Sequence, residues 1–131
     1  MARSIATQLM FDGFAEKAMT FYVSLFPGSE IHRIERYGVG EPGPEGTVKR
    51  AEFSLGEHQL ACIDSPIKHG FTFTPSMSLF VECADETELD NAFQQLSDGG
   101  GVLMPLGNYG FSKKFGWVND RFGVSWQLNL Q

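Results

Sequence analysis

The first apolar positions of the chain alternate. Over Ser4–Phe11, Ile5, Leu9 and Phe11 fall on one face, and Ala6, Gln8 and Met10 on the other, which predicts a strand. Asp12-Gly13 closes it. Ala15, Ala18, Met19, Tyr22, Leu25 and Phe26 then recur at three- and four-residue spacing, the pattern of an amphipathic helix. Pro27-Gly28 stops that helix. Two strands are predicted at Glu30–Tyr37 and Val48–Leu55, separated by a segment over 38–46 too rich in Gly and Pro for regular structure. Gly56-Glu57 turns the chain into a further strand, Gln59–Asp64.

The second half follows the same plan. Met77–Cys83 reads as a strand. Asp85 and Glu88 stand in the D-x-x-E relation of a helix N-terminus, and Leu89, Ala92, Phe93 and Leu96 form the buried face behind it. Gly99–Gly101 ends the helix, and Val102–Met104, Lys113–Asn119 and Val124–Leu130 supply three more strands. The order is βαβββ twice, joined near Pro66–Pro75. In the last strand, Val124, Trp126, Leu128 and Leu130 alternate with Ser125, Gln127 and Asn129. The apolar set is expected to meet a helix and the polar set to face elsewhere. An unclosed sheet with a polar-lined concave side is a natural small-molecule site.

Composition narrows the partners. The chain has 131 residues and a net charge of −6, which disfavours nucleic acid or an anionic membrane. No apolar run is long enough to span a bilayer, and no signal-peptide core follows Met1, so a cytoplasmic protein is expected. Cys62 and Cys83 each lie in an apolar run without a CxxC, and read as buried thiols rather than a zinc site. Twelve phenylalanines, against three tyrosines and two tryptophans, suggest an aromatic-rich interior or pocket.

Several motifs are familiar in combination. They are Phe11-Asp12-Gly13-Phe14-Ala15-Glu16-Lys17-Ala18-Met19-Thr20-Phe21-Tyr22, Tyr37-Gly38, and Pro44-Glu45-Gly46-Thr47-Val48. Phe73-Thr74-Pro75, the run from Met104 to Phe111, and the run from Gly116 to Leu128 join them in order. Together they resemble the PhnB-like branch of the glyoxalase/bleomycin-resistance/dioxygenase (vicinal oxygen chelate) superfamily. The resemblance implies an α+β fold of paired βαβββ modules, about residues 1–65 and 76–131. Mixed sheets would carry a concave cavity, with helices on their outer faces and a homodimer completing the assembly. Function does not follow from the fold. Such proteins include metal-dependent isomerases, ring-cleaving dioxygenases, thiol transferases and metal-free drug-binding proteins. A methyltransferase name is also attached to PhnB-like sequences. It needs a glycine-rich turn from strand to helix, whereas Gly99–Gly101 follows a helix.

The resemblance also points to metal-ligand positions on the first and last strand of each module. Here they fall at Gln8, at Cys62 to Asp64, at Ser76-Met77-Ser78 and at Gln127. Two amides, a serine and one Asp or Cys make a poor donor set for a divalent ion. His32, His58 and His69 are scattered, without ligand spacing. Asp64-Ser65 with a histidine lacks the nucleophile elbow of a hydrolase, and Lys113-Lys114 can send only one side chain to a given face. Tyr109 and Phe111 lie in a glycine-flanked loop, suited to covering a ligand or a dimer seam.

The sequence reading is therefore a homodimer that binds a small, partly apolar molecule without metal or other cofactor. Its ligand-binding candidates are Gln8, Cys62, Asp64, Ser78, Tyr109, Phe111 and Gln127. The alternative is a metal-assisted lyase, isomerase or dioxygenase using Gln8, Asp64 or Cys62, and Gln127; a third reading is an interaction module without a ligand.

Overall fold

Alternation and helical spacing become real elements in the computed structural model, which describes all 131 residues. The first half forms β1 (Thr7–Phe11), α1 (Ala15–Leu25), β2 (Glu30–Arg36), β3 (Val48–Leu55) and β4 (His58–Asp64). The second forms β5 (Ser78–Glu82), α2 (Glu86–Ser97), β6 (Gly101–Gly107), β7 (Lys114–Asn119) and β8 (Ser125–Leu130). The fold is α+β, and the chain divides into two compact units, Met1–His69 and Gly70–Gln131.

The first unit is a four-stranded sheet in the order β1-β4-β3-β2, parallel between β1 and β4 and otherwise antiparallel. Ala15, Ala18, Met19, Tyr22 and Leu25 of α1 are buried, as are Leu9, Phe11, Ala51, Phe53, Leu60 and Cys62 of the sheet. Residues Ala51 and Cys62, and Phe53 and Leu60, are direct cross-strand partners, so one pleat face supplies this core. α1 has no side-chain cap of its own. Its first amide is taken instead by Asp64, at the end of β4: Oδ1 accepts from Ala15 N at 3.0 Å and from Gly13 N at 2.9 Å, and Oδ2 accepts from Val48 N at 2.9 Å. One carboxylate thus ties the helix start to two strands. Gly13 makes the approach at φ +91°, a backbone state that L side chains adopt with strain.

The second unit repeats the topology, in the order β5-β8-β7-β6 with β5 and β8 parallel. Here α2 carries its own cap: Asp85 Oδ1 accepts from Glu88 N at 2.8 Å. Glu88 reaches back to Ala84 N at 2.9 Å, one residue before the partner of the standard capping box. Leu89, Ala92 and Leu96 are buried with Val118, Trp126 and Leu128. Phe93, expected to be buried, is half-exposed and lies over Gly116, where a Cβ would come within 2.6 Å of its ring. Lys114 turns to the helix and meets Glu86 at 3.0 Å and Asp90 at 2.7 Å. The acidic helix face is therefore partly neutralised from the sheet.

Three boundaries differ from the pattern. Ile5 is 89% exposed and precedes β1, because pairing with β4 begins at Thr7 opposite Leu60. Tyr37 lies past the end of β2 but is buried, its ring against Gly43, with its backbone bonded to Gly46 and Thr47. β6 runs on through Pro105 to Gly107. An edge strand tolerates a proline, and β6 pairs only with β7, with register shifts.

Candidate functional site

The face of the second sheet turned away from α2 is built by pairing. Ser125, Gln127 and Asn129 of β8 stand opposite Ser78, Phe80 and Glu82 of β5, and opposite Asn119, Trp117 and Phe115 of β7. Their neighbours Trp126 and Leu128 point to the helix and are fully buried, as alternation predicts. Gln127 accordingly sits between two aromatic residues, Phe80 on one side and Trp117 on the other.

The polar groups of this face form a directed chain. Trp117 Nε1 donates to Ser125 Oγ at 2.9 Å, and the hydroxyls of Ser125 and Ser78 are 2.6 Å apart. Ser78 Oγ donates onward to Pro75 O at 3.4 Å, and Gln127 Nε2 donates to Ser78 Oγ at 3.3 Å. With its hydrogen on Pro75 O, Ser78 accepts from both Ser125 and Gln127. Further along β8, Asn129 Nδ2 donates to Glu82 Oε1 at 2.8 Å, and Ser112 Oγ donates to Asn129 Oδ1. The Gln127 Oε1 and one of its amide hydrogens are left for a ligand or water.

Beside this row stand three rings. Tyr109 and Phe111 stack with centroids 6.4 Å apart, and both meet Phe115 edge-on, at 6.1 and 5.1 Å. Phe115 is buried, whereas Tyr109 remains 42% exposed and Phe111 58%. Gly110, at φ +99°, provides the bend between the two outer rings, and the Tyr109 hydroxyl donates to Pro105 O. Of the expected residues, Ser78 and Gln127 are thus in contact, while Tyr109 and Phe111 meet Phe115 of the same face edge-on. Phe80 was not expected here, and Phe115 and Trp117, for which the sequence leaves core and pocket open, fall on this face; their strand parity relative to Gln127 was the available signal.

The first unit distributes its candidates differently. Gln8 lies on the face away from α1, where its Oε1 accepts from Arg50 Nη1 at 2.8 Å. Arg50 and Arg33 approach Glu52 at 3.7 and 3.8 Å, and Arg33 meets Glu35 at 2.8 Å, so this face is a charge network. Cys62 departs from the expected ligand-facing set: it is fully buried, with Sγ 3.9 Å from Met19 Sδ on α1. Burial, followed by the charge of Asp64, pushes its thiol up to about 12. Asp64 also departs from that set, being 3% exposed with both oxygens held by the three backbone amides. Cys62 and Asp64 serve the helix, on the opposite side of the sheet from Gln8.

This chemistry does not fit the divalent ion that the resemblance implies for some superfamily members. No group of three His, Cys, Asp or Glu is gathered, the Asp64 carboxylate is spent on the backbone, and the Cys62 thiol is protonated at neutral pH. The two serine–histidine contacts are structural as well. Glu30, His32 and Ser54 form a line, with Glu30 to His32 Nδ1 at 3.3 Å and His32 Nε2 to Ser54 Oγ at 2.9 Å. Yet Ser54 is 4% exposed and paired on both sides, with Glu30 and Gln59, which commits its surrounding backbone amides to the sheet rather than to an oxyanion. Ser65 Oγ lies 2.9 Å from His69 Nε2, but the hydroxyl also donates to Ile67 O at 2.8 Å and accepts from Ile67 N at 3.2 Å, so it is engaged by its own turn.

The comparisons agree with this architecture. The family model described as 3-demethylubiquinone-9 3-methyltransferase matches residues 3–129. A PhnB protein from Bacillus cereus is 56% identical, over 98% of this chain and 100% of its own, with a TM-score of 0.96. Protein PA1353 from Pseudomonas aeruginosa is 26% identical, over 99% and 98%, with a TM-score of 0.86. A glyoxylase/bleomycin resistance protein/dioxygenase domain from Frankia sp. EAN1pec is 14% identical, over 99% and 92%; its TM-score of 0.64 shows the shared fold. No curated protein matches. From the near-complete family match and the Bacillus relative, the chain belongs to the PhnB-like family, built on the fold of the vicinal oxygen chelate superfamily.

Proposed function

We propose that this protein binds a small, partly apolar molecule on the helix-distal face of its second sheet, without a metal ion, and works as a homodimer. The observation that carries the reading is the exposure of Tyr109 and Phe111 on the face that presents Gln127. Large rings left exposed beside an underused amide form a site that is apolar in area and polar at one point. The donor set described above supports the metal-free half of the reading. Dimerisation is supported by the family and by the many exposed apolar side chains of a small chain, among them Ile67, Phe71 and Met77.

Methyl transfer, named in the family's description, finds no support in the triglycine. Gly99–Gly101 follows α2, and a Cβ on Gly100 would collide with Asn119 O, so this turn is close-packed on backbone rather than opened to a nucleotide cofactor.

The test is fluorescence titration with N-phenyl-1-naphthylamine, a neutral aromatic probe that brightens in apolar sites. Saturable binding near 10 µM (an affinity of about 7 kcal/mol) is expected, weakened at least tenfold in Tyr109→Ser/Phe111→Ser. Binding that does not saturate, or that the double variant retains, overturns the reading. A sedimentation mass of a single chain at micromolar concentration overturns the homodimer.

A further inference from the structure

The charge on the second sheet's helix-distal face is lopsided. Among the paired positions Ser78, Phe80, Glu82, Ser125, Gln127, Asn129, Phe115, Trp117 and Asn119, Glu82 alone is charged. Its carboxylate is already engaged by Asn129 Nδ2 and by the Gln131 amide at 3.1 Å. The basic residue of β7, Lys114, is turned to Glu86 and Asp90 on α2. An anion laid across Gln127 would meet no cation among these paired positions, Lys113 lying exposed just before β7, and would lie two residues, roughly 7 Å along the strand, from the position opposite Glu82.

The polar point of the site is equally specific. Gln127 Nε2 spends one hydrogen on Ser78, leaving one N–H donor and the Oε1 acceptor of the same amide. A partner that offers an acceptor and a donor on adjacent atoms satisfies both. The amide is flanked across the sheet by Phe80, 59% exposed, and by Trp117. Along the sheet lie Phe115 and the stacked pair above it. A flat ring system joined to the amide-binding edge is the shape these surfaces accept.

We infer that the ligand class is a neutral planar aromatic molecule bearing a carboxamide-like donor–acceptor edge, read by Gln127, and that the corresponding carboxylate is rejected. This rests on the reading that the face is a binding site, and specifies what it takes. Gln127 sets the specificity; the rings contribute area to amide and acid alike.

The experiment is isothermal titration at pH 7 with 2-naphthamide and 2-naphthoate, which share the ring system and differ in the edge. The amide is expected to bind at least tenfold tighter than the acid. In Gln127→Leu, amide affinity is expected to fall about tenfold and the difference between the two to close. Gln127→Glu, which keeps the shape but loses the donor, is expected to widen the rejection of naphthoate. Equal or tighter binding of naphthoate to the natural protein, or an amide preference that survives Gln127→Leu, overturns the ligand class; if N-phenyl-1-naphthylamine still binds, the site itself stands. If neither the naphthalenes nor that probe binds, the site and the ligand class fall together.

Discussion

Asp64 holds the first amide of α1 through Ala15, 49 positions earlier in the chain, at 3.0 Å. The same carboxylate serves Gly13 and Val48, so the residue that a superfamily comparison offers as a metal ligand is the cap of a helix. Asp64→Ala leaves three amides without their partner. A loss of about 4 kcal/mol in urea unfolding is expected, since each buried unsatisfied donor costs about 1–3 kcal/mol and water recovers part of it. Asp64→Ala with unchanged stability would contradict the capping role.

Asp120 plays the matching part in the second unit. It is 3% exposed; Oδ1 accepts from Phe122 N at 2.8 Å and Val124 N at 3.0 Å, and Oδ2 accepts from Trp126 Nε1 at 2.9 Å. Trp126→Phe removes that donor from a buried carboxylate and opens a void in the core. The expected destabilisation is about 3 kcal/mol, read by circular dichroism in urea. A change below about 1 kcal/mol would mean that the hydrogen bond is not holding the turn.

Gly100→Ala tests the triglycine as packing. The added Cβ meets the carbonyl oxygen of Asn119 and lies 2.9 Å from the Asp120 carbonyl carbon, and neither backbone atom can swing aside. A loss of about 3 kcal/mol or more is expected from this overpacking, against about 1 kcal/mol or less for Gly101→Ala, where the Cβ enters open space. Equal effects would remove the steric explanation.

Two carboxylates predict a dependence on acid. Hydrogen bonding from Arg36, at 3.0 and 2.7 Å, holds the Glu16 carboxyl below its usual value of 4.5. Hydrogen bonding from Lys49, then from Gly38 N, does the same for Glu41. Depressed carboxyl values give stability that is present above the unfolded value and is lost as pH falls through the folded one. Between about pH 5 and pH 3 the natural protein is expected to lose stability more steeply than Glu16→Gln or Glu41→Gln. Parallel slopes for all three in chemical denaturation would contradict the pairing. Both pairs are solvent-accessible, so the differences should shrink with added salt.

Both thiols should be unreactive in the folded chain. Burial, with Asp64 next in effect, lifts Cys62 to about 12, and burial, followed by Glu88 and Glu82, lifts Cys83 to about 12. Modification by Ellman's reagent at pH 8 is expected to run at least about a hundredfold slower in the native protein than in denaturant. Rapid titration of either thiol in the native state would contradict the packing around it.

What could be read in advance depended on the range of the interaction. The alternation of Trp126 and Leu128 with Ser125 and Gln127 is local, and it fixed both the buried face and the polar one. The Asp85–Glu88 cap spans three residues and was equally visible. Asp64 and Cys62 stand as candidates through the family resemblance, and the partners that commit them to the helix instead, Ala15 and Met19, lie far away in sequence on α1. Phe80 escaped notice because Leu79-Phe80-Val81 reads as a continuous apolar run; only its pairing with Gln127 turns it outward. Tyr109 and Phe111 stood out because glycine-flanked loops seldom need large rings, while for Phe115, inside a strand, the sequence leaves core and pocket equally open.

The central claim is binding on the second sheet without a metal. Its most direct test is the N-phenyl-1-naphthylamine titration before and after exhaustive dialysis against EDTA, with elemental analysis of the same samples. The account predicts well under one divalent ion per chain and the same Kd in both titrations. A stoichiometric ion, with probe binding lost on chelation and restored by adding the metal back, would contradict it.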